Sequence, residues 1–300
     1  ERAKSEHSAE ALPMPTHYTP IDEWIEENTE GMISGFLGDD EIPDDTKAFI
    51  VNAVYFKGAW TYEFDPEDTI DGDFILRDET ALPTRFMTTT REMGFIDRSP
   101  ALGGASAVVL DYGKKEEKGE PTEFTSLFIL PATQDDDSMN DAISGLNSQS
   151  ISELLDEARE TNVILKLPRF RLEFGTDEPE SLQAALENMG MRIAFDGSYF
   201  RKFDEMSTSL DLTVEDVLHG AVMEVTEVGT EAAAVTVVPF RSRSARQPPP
   251  PPQMTFDRAF LVAIIHRTTG TPIFMGRVEE PEEPEDSSLL LGANQTGRMV

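Results

Sequence analysis

Five consecutive prolines at 248–252 constrain this chain more than any other feature of its sequence. Proline has no backbone N–H, so the run is excluded from helix interiors and central strands and favours an extended left-handed helix of ~3.1 Å per residue. Such a helix holds its flanking segment away from the body. Three parts precede it in order: small residues at 229–234, β-branched residues at 235–238, and the arginines Arg241, Arg243 and Arg246. Residues 229–253 are therefore interpreted as an exposed segment outside the core.

The residue types in this segment suggest what it does. Arginines in an exposed, extended chain suit a trypsin-like protease, whose primary pocket carries an acid that pairs with the guanidinium. Small side chains suit a segment that slides between two existing strands, because only they fit a tight gap. A low-complexity linker is the alternative for any proline-rich stretch.

The rest of the chain mixes helical and strand patterns. Predicted helices lie at 20–31, where Pro20 suits the first turn and Gly31 can end the helix, and at 138–159 and 178–190. Predicted strands lie at 48–56, 107–110, 128–130, 163–167, 260–265 and 272–278. The first strand is expected to be buried on both faces, and the last two to form a hairpin. The fold class is therefore α+β, with a loop or disordered remnant at 1–20 and a disordered tail at 282–300.

Charge and composition narrow the function further. In 300 residues, 57 acidic against 25 basic side chains give a formal net charge of −32. This charge repels phosphate backbones and anionic lipid surfaces, so neither nucleic acid nor membrane is an expected partner. The chain has no cysteine and lacks the Gly-x-Ser-x-Gly, phosphate-loop and His-Glu-x-x-His patterns. We expect no enzyme activity, no metal and no cofactor.

Several segments share a further property, which is their order along the chain: 21–25 with 29–31, 51–60, 167–170, 227–234, 256–261 and 269–278. Together they resemble the serpin family of serine protease inhibitors. In that family they correspond, in the same order, to helix F, the following strand of the main sheet, a further strand, the hinge of inhibitory members and the C-terminal signature strands. The resemblance implies a serpin domain at 21–281 that lacks the family's N-terminal elements. It also implies a large main sheet, smaller sheets, surrounding helices and an exposed reactive-centre loop at about 227–255.

The resemblance also implies roles for individual residues. Family spacing puts the scissile residue sixteen positions after the hinge Glu227, at Arg243, with Ser244 on the leaving side. The implied mechanism is that of a suicide substrate: a trypsin-like protease forms an acyl-enzyme at Arg243, and the freed loop inserts into the main sheet. The implied hinge residues are Glu227, Gly229, Thr230, Glu231, Ala232, Ala233 and Ala234. His219, Asn52 and Trp60 match positions that control the opening of that sheet.

Two alternatives stay open at this point. Arg241, Arg243 and Arg246 form an Arg-x-Arg-x-x-Arg array that resembles a furin-type processing site, cut between Arg246 and Gln247. The chain could also be a non-inhibitory serpin or a fragment whose loop is a cleavage substrate or a binding segment. Pro239 bears on this choice because it would remove a hydrogen bond from an inserted strand. The compartment is open, with extracellular favoured over cytoplasmic.

Overall fold

The computed structural model describes residues 13–38, 40–43, 46, 51–56, 58–113, 122–176, 180–196, 214, 217–229 and 250–284. The chain divides into two compact units. The first comprises Glu1–Phe56 and Glu173–Met223, and the second comprises Lys57–Leu172 and Glu224–Val300.

The described residues form helices and strands in a mixed order. The helices are α1 (Thr19–Asn28), α2 (Asp136–Ser144), α3 (Ser148–Glu157) and α4 (Gln183–Asn188). The strands are β1 (Val51–Tyr55), β2 (Ile70–Ile75), β3 (Ala81–Ser99), β4 (Ala105–Asp111), β5 (Phe124–Leu130), β6 (Arg159–Pro168), β7 (Phe170–Phe174), β8 (Glu180–Ser181), β9 (Leu218–Val225), β10 (Gln253–Thr255), β11 (Phe260–His266) and β12 (Thr271–Val278). This mixture confirms the α+β prediction.

Helix α1 follows from its terminal residues and its apolar face. Pro20 lies in the first turn, and Gly31, at a φ of 80°, donates its N–H to the Glu26 carbonyl beyond the helix end. Ile25 is fully buried against Ile33, Phe36 and Val222. The predicted helix at 20–31 is thus confirmed, with the last residues forming its terminal turn.

Strand β1 belongs to a four-stranded sheet with the order β1-β9-β7, in which β8 pairs with β9. It runs parallel to β9 in a register from Val51 opposite Leu218 to Tyr55 opposite Val222. The prediction that this strand is buried on both faces is wrong, since Asn52 is exposed and its four neighbours in β1 are only partly buried. Among the described residues, β1 has a strand neighbour on one side only, so it is an edge strand.

The second unit contains an eight-stranded sheet. Its order is β10-β6-β3-β4-β5-β11-β12, with β2 paired to β3. Aromatic rings of Phe128, Phe170 and Phe256 surround the fully buried Phe260 at centroid distances of 6.4, 5.6 and 5.2 Å. The predicted C-terminal hairpin is confirmed: β11 and β12 are antiparallel neighbours.

Two predicted helices differ from the observed ones. The window at 138–159 contains two helices because Asn147 caps the second: its side-chain oxygen accepts the Ser150 N–H at 3.0 Å, and the Ser150 hydroxyl accepts the Asn147 N–H at 2.8 Å. In the described part of the window at 178–190, the two-residue strand β8 precedes the short helix α4. The apolar periodicity alone predicts one long helix at 138–159, whereas the Asn147 cap starts a second helix within that window.

The residues that follow 281 contact the second unit. The Glu282 carbonyl accepts the Arg171 N–H at 2.8 Å, and the Glu283 carboxylate lies 3.1 Å from the Arg169 guanidinium. Residues 282–284, which the prediction assigned to the tail, therefore lie on the fold, whereas 285–300 lie outside the described residues. In the described parts of the chain, no helix combines the length and the apolar character needed to cross a membrane.

Candidate functional site

The chain leaves β9 through a tight turn at residues 226–229, which we call the hinge turn. The Gly229 N–H donates to the Thr226 carbonyl at 3.2 Å, and the Thr226 hydroxyl donates to the Gly229 carbonyl at 2.6 Å. Gly229 has a φ of 88°, and a Cβ at this position would lie 2.4 Å from the Gly58 carbonyl oxygen. Only glycine satisfies both the left-handed backbone and this close approach.

Glu227 fixes the hinge turn through a buried carboxylate. One carboxylate oxygen accepts the Thr69 hydroxyl at 2.7 Å, and the other lies 3.4 Å from Nε of Arg169. The Glu227 and Arg169 side chains are only 8% and 7% exposed. Burial weakens solvent screening, so each charge depends on the other more strongly than a surface pair would.

Trp60 binds the same turn through two hydrogen bonds. Its indole N–H donates to the Thr226 carbonyl at 2.9 Å, and its backbone N–H donates to the Val228 carbonyl at 3.1 Å. The indole stacks on Tyr112, with ring centroids 4.4 Å apart. Burial raises the pKa of Tyr112 above its usual value, although the hydrogen bond from Ser126 acts in the opposite direction.

The other end of the loop is held by backbone pairing. The Pro252 carbonyl accepts the Ile164 N–H at 2.9 Å, and the Phe256 N–H donates to the Lys166 carbonyl at 2.9 Å. Between them, β10 runs parallel to the edge of β6, with Gln253 opposite Ile164. Residues 252–255, here called the C-terminal anchor, thus belong to the same unit as the hinge turn.

The predicted bait and hinge residues between these two ends lie outside the described residues. They are Thr230, Glu231, Ala232, Ala233, Ala234, Arg243, Ser244, Arg246 and Gln247. Their roles therefore stay predictions.

Comparison with known proteins identifies the family. The family model described as serpin, serine protease inhibitor, matches residues 13–281. This chain belongs to the serpin family. Serpin B10 of Bos taurus is 32% identical over 265 residues, which cover 87% of this chain and 62% of that relative. The serpin chain therefore spans less than two thirds of the length of this curated relative.

Solved structures agree on the fold. The thermophilic serpin tengpin, in its native state, matches with a TM-score of 0.69 and 27% identity, over 87% of this chain and 62% of that one. Human thyroxine-binding globulin, crystallised with thyroxine, matches with a TM-score of 0.72 over 94% of this chain and 70% of that one. Its 22% identity shows a shared fold alone. The predicted serpin fold is confirmed.

Two of the three predicted gating residues of this serpin come together in the first unit. Asn52 on β1 and His219 on β9 are register partners, and the His219 ring lies 6.0 Å from that of Phe174. Nδ1 of His219 is buried, with no hydrogen-bond partner among the described residues. Trp60, the third, lies in the second unit and anchors the hinge turn as described above.

Sequence reasoning gave no role to two residues that hold the hinge glutamate. Arg169 was noted only as part of the strand motif at 167–170, and Thr69 was not singled out. A basic side chain between the apolar residues Pro168 and Phe170, in a chain with only 25 basic residues, is a signal that Arg169 is paired. Thr69 gave no such signal, because it lies 158 positions from Glu227.

The described residues hold no group of three or more histidine or acidic side chains arranged to bind a metal ion. The charged side chains gathered near the loop ends instead form the pairs given above.

Proposed function

We propose that this serpin inhibits a trypsin-like serine protease as a suicide substrate, with its reactive bond between Arg243 and Ser244. The observation that carries the proposal is the reversal of the chain at the hinge turn, directly after β9 and directly before the small-residue segment. A segment that starts from such a reversal runs antiparallel to the strand before it.

The sheet next to the hinge favours insertion of this segment. Strands β1 and β9 are parallel neighbours, so a strand that entered between them from the hinge turn would be antiparallel to both. Side chains alternate along a strand, so Thr230, Ala232 and Ala234 would enter on one face. All three are small enough for a gap between packed strands.

The proposed chemistry starts with the protease. Its serine attacks the Arg243 carbonyl, the bond to Ser244 breaks, and the new amino group of Ser244 takes up the proton as it leaves. Arg243 stays esterified to the protease, while its guanidinium occupies the acidic primary pocket. Loop insertion is a known property of serpins as a family, and here it would draw the esterified protease along. The buried pair of Glu227 and Arg169 would hold the pivot.

Trypsin tests this proposal. Incubation of the intact protein with trypsin should give a covalent complex that survives boiling in detergent, and Arg243→Ala should abolish it. Arg241→Ala is the matched control and should leave the complex in place. Mass analysis of the released peptide should give an N-terminus at Ser244. If trypsin cuts the loop and leaves freely, the protein is a substrate and the inhibitor proposal fails.

A second function is favoured by the arginine array and by Pro239. An Arg-x-Arg-x-x-Arg sequence suits a processing protease that cuts between Arg246 and Gln247, and Pro239 would remove a ladder hydrogen bond from an inserted strand. The protein would then be a non-inhibitory serpin whose loop is cut or bound. A released peptide that begins at Gln247, with no covalent complex, would support this function.

A further inference from the structure

We propose that Glu283 is a positioning residue for the hinge turn: it fixes the Arg169 guanidinium on which the buried Glu227 carboxylate depends, and so limits how readily the turn opens. Glu283 belongs to residues 281–284, which we call the acidic strap and which lie in the same unit as the hinge turn. Loop insertion as the consequence of opening rests on the proposed function, whereas the contacts of Glu283 do not.

Buried prolines hold the acidic strap at both ends. Pro281 and Pro284 are buried, whereas Glu282 and Glu283 between them are exposed. Proline locks its own φ, so it loses little conformational freedom when the segment packs. The Glu282 carbonyl also accepts the Arg171 N–H at 2.8 Å. The acidic strap therefore holds the Glu283 carboxylate in place at low entropic cost.

The Arg169 guanidinium joins the acidic strap to the hinge turn. Its Nη1 lies 3.1 Å from a carboxylate oxygen of Glu283, and its Nε lies 3.4 Å from a carboxylate oxygen of Glu227. The two carboxylates meet different nitrogens of the guanidinium, so neither displaces the other. The Glu283 side chain is 44% exposed, so its carboxylate stabilises the buried cation without itself being fully desolvated. Glu283 therefore favours the position of Arg169 that holds Glu227.

A second contact of the acidic strap reaches the strand that leads into the hinge turn. Arg171, whose N–H binds the strap, pairs through its guanidinium with the Glu224 carboxylate on β9. Glu224 lies shortly before the hinge turn in the sequence. The hinge turn and the strand before it are thus both connected to the acidic strap, each through one arginine.

The other cation near Glu283 contributes little. The Arg85 guanidinium lies 3.7 Å from the Glu283 carboxylate, and both side chains are nearly half exposed. Solvent and salt screen such a surface pair, so its contribution to stability is small. The charge of Glu283 therefore acts mainly through the buried Arg169.

Amide hydrogen exchange at the hinge turn tests the proposal without a protease. The Trp60 N–H donates to the Val228 carbonyl and the Phe64 N–H donates to the Glu227 carbonyl, so both amides exchange when the turn opens. In the ¹⁵N-labelled intact protein, Glu283→Gln should speed the exchange of both amides by about three- to tenfold, because it removes the charge and keeps the shape.

Three controls separate positioning from general stability. Glu282→Gln removes the same charge from the neighbouring exposed residue and keeps its backbone carbonyl, so it should leave the exchange unchanged. Arg85→Gln should also have no effect, because its pair with Glu283 is exposed. The Ile164 N–H, which binds the Pro252 carbonyl in the C-terminal anchor, should exchange at the same rate in the unaltered protein and in Glu283→Gln.

Unchanged exchange at Trp60 and Phe64 in Glu283→Gln would overturn the proposal. An equal acceleration at Ile164 would also overturn it, because the acidic strap would then support the whole unit rather than the hinge turn.

Trypsin tests the consequence for insertion. If the turn opens more readily, Glu283→Gln should convert a larger share of cut loops into the covalent complex than the unaltered protein does. An unchanged share, in a protein that forms the complex, would overturn the role of this opening in insertion. If neither protein forms the complex, the inhibitor proposal fails, and the exchange rates still decide whether Glu283 positions the hinge turn.

Discussion

The two ends of the loop are fastened by different kinds of bond. The hinge turn depends on side chains: the Glu227 carboxylate is buried with Arg169 and Thr69. The C-terminal anchor depends on the backbone of Pro252 and β10 against β6. A backbone ladder tolerates changes of side chain, whereas a buried charge loses its stabilisation when one partner goes. The hinge turn therefore depends on particular side chains, whereas the C-terminal anchor depends on backbone hydrogen bonds that most residues could make.

The largest expected effect is at Glu227. We expect Glu227→Ala to lower the free energy of unfolding by about 3–5 kcal/mol, because it leaves Arg169 as a buried charge without this partner. Urea denaturation measures the change, and Glu67→Ala, at an exposed glutamate of the same unit, is the control.

If Glu227→Ala lowers the free energy of unfolding no more than Glu67→Ala does, the two ends of the loop do not differ in the way described. Replacing both Glu227 and Arg169 by methionine should cost less than the single substitution, because the charge that is left, on Glu283, is exposed rather than buried. A double variant as unstable as Glu227→Ala would point to packing rather than charge as the cause.

Gly229 should show the next largest effect. Gly229→Ala puts a side chain on a left-handed backbone that alanine disfavours, and it places a Cβ 2.4 Å from the Gly58 carbonyl oxygen. We therefore expect the free energy of unfolding to fall by about 2–4 kcal/mol. Gly113→Ala is a matched control, with a φ of 77° and no atom within 4 Å of the new Cβ. It should cost only about 1 kcal/mol in the same denaturation experiment. Equal losses would mean that the close approach to Gly58 adds nothing.

Alkaline pH should weaken the protein through Tyr112, which stacks on Trp60 beneath the hinge turn. Burial raises its pKa, so above about pH 10 the unfolded chain loses a proton that the folded protein keeps. Stability then falls by up to about 1.4 kcal/mol per pH unit from this group. Unfolding measured from pH 8 to 11 should show a shallower fall for Tyr112→Phe.

Arg91 acts in the opposite direction over the same range. Burial lowers its pKa to about 10, so its unfavourable buried charge is relieved as pH rises above that value. The contribution of Tyr112 is therefore the difference in the free energy of unfolding between the unaltered protein and Tyr112→Phe at each pH. Parallel pH curves for the two proteins would contradict the assignment.

The smallest effect is expected at the C-terminal anchor. Gln253 is exposed, and its place in β10 depends on backbone pairing, so Gln253→Ala should change the free energy of unfolding by no more than about 0.5 kcal/mol. A loss comparable to that of Glu227→Ala would show that side chains hold this end as well.

Local patterns were predicted better than long-range ones. The helix α1 and the hairpin of β11 and β12 follow from capping residues, apolar runs and turns that are close together in the sequence. The burial of β1 was predicted wrongly because an apolar run does not reveal how many neighbours a strand has. The helices α2 and α3 were merged because periodicity outweighed the Asn147 cap.

The sequence by itself determined the family, the α+β class and the unusual composition of the loop, because these depend on residue identity and order. The tertiary structure decided how the loop is fastened. Thr69 and Glu227 meet across 158 positions, and Trp60 and Thr226 across 166, so nothing in the local sequence announces either bond. Side-chain pairing across such distances is set by the packing of the whole unit, and the hinge turn of this serpin depends on it.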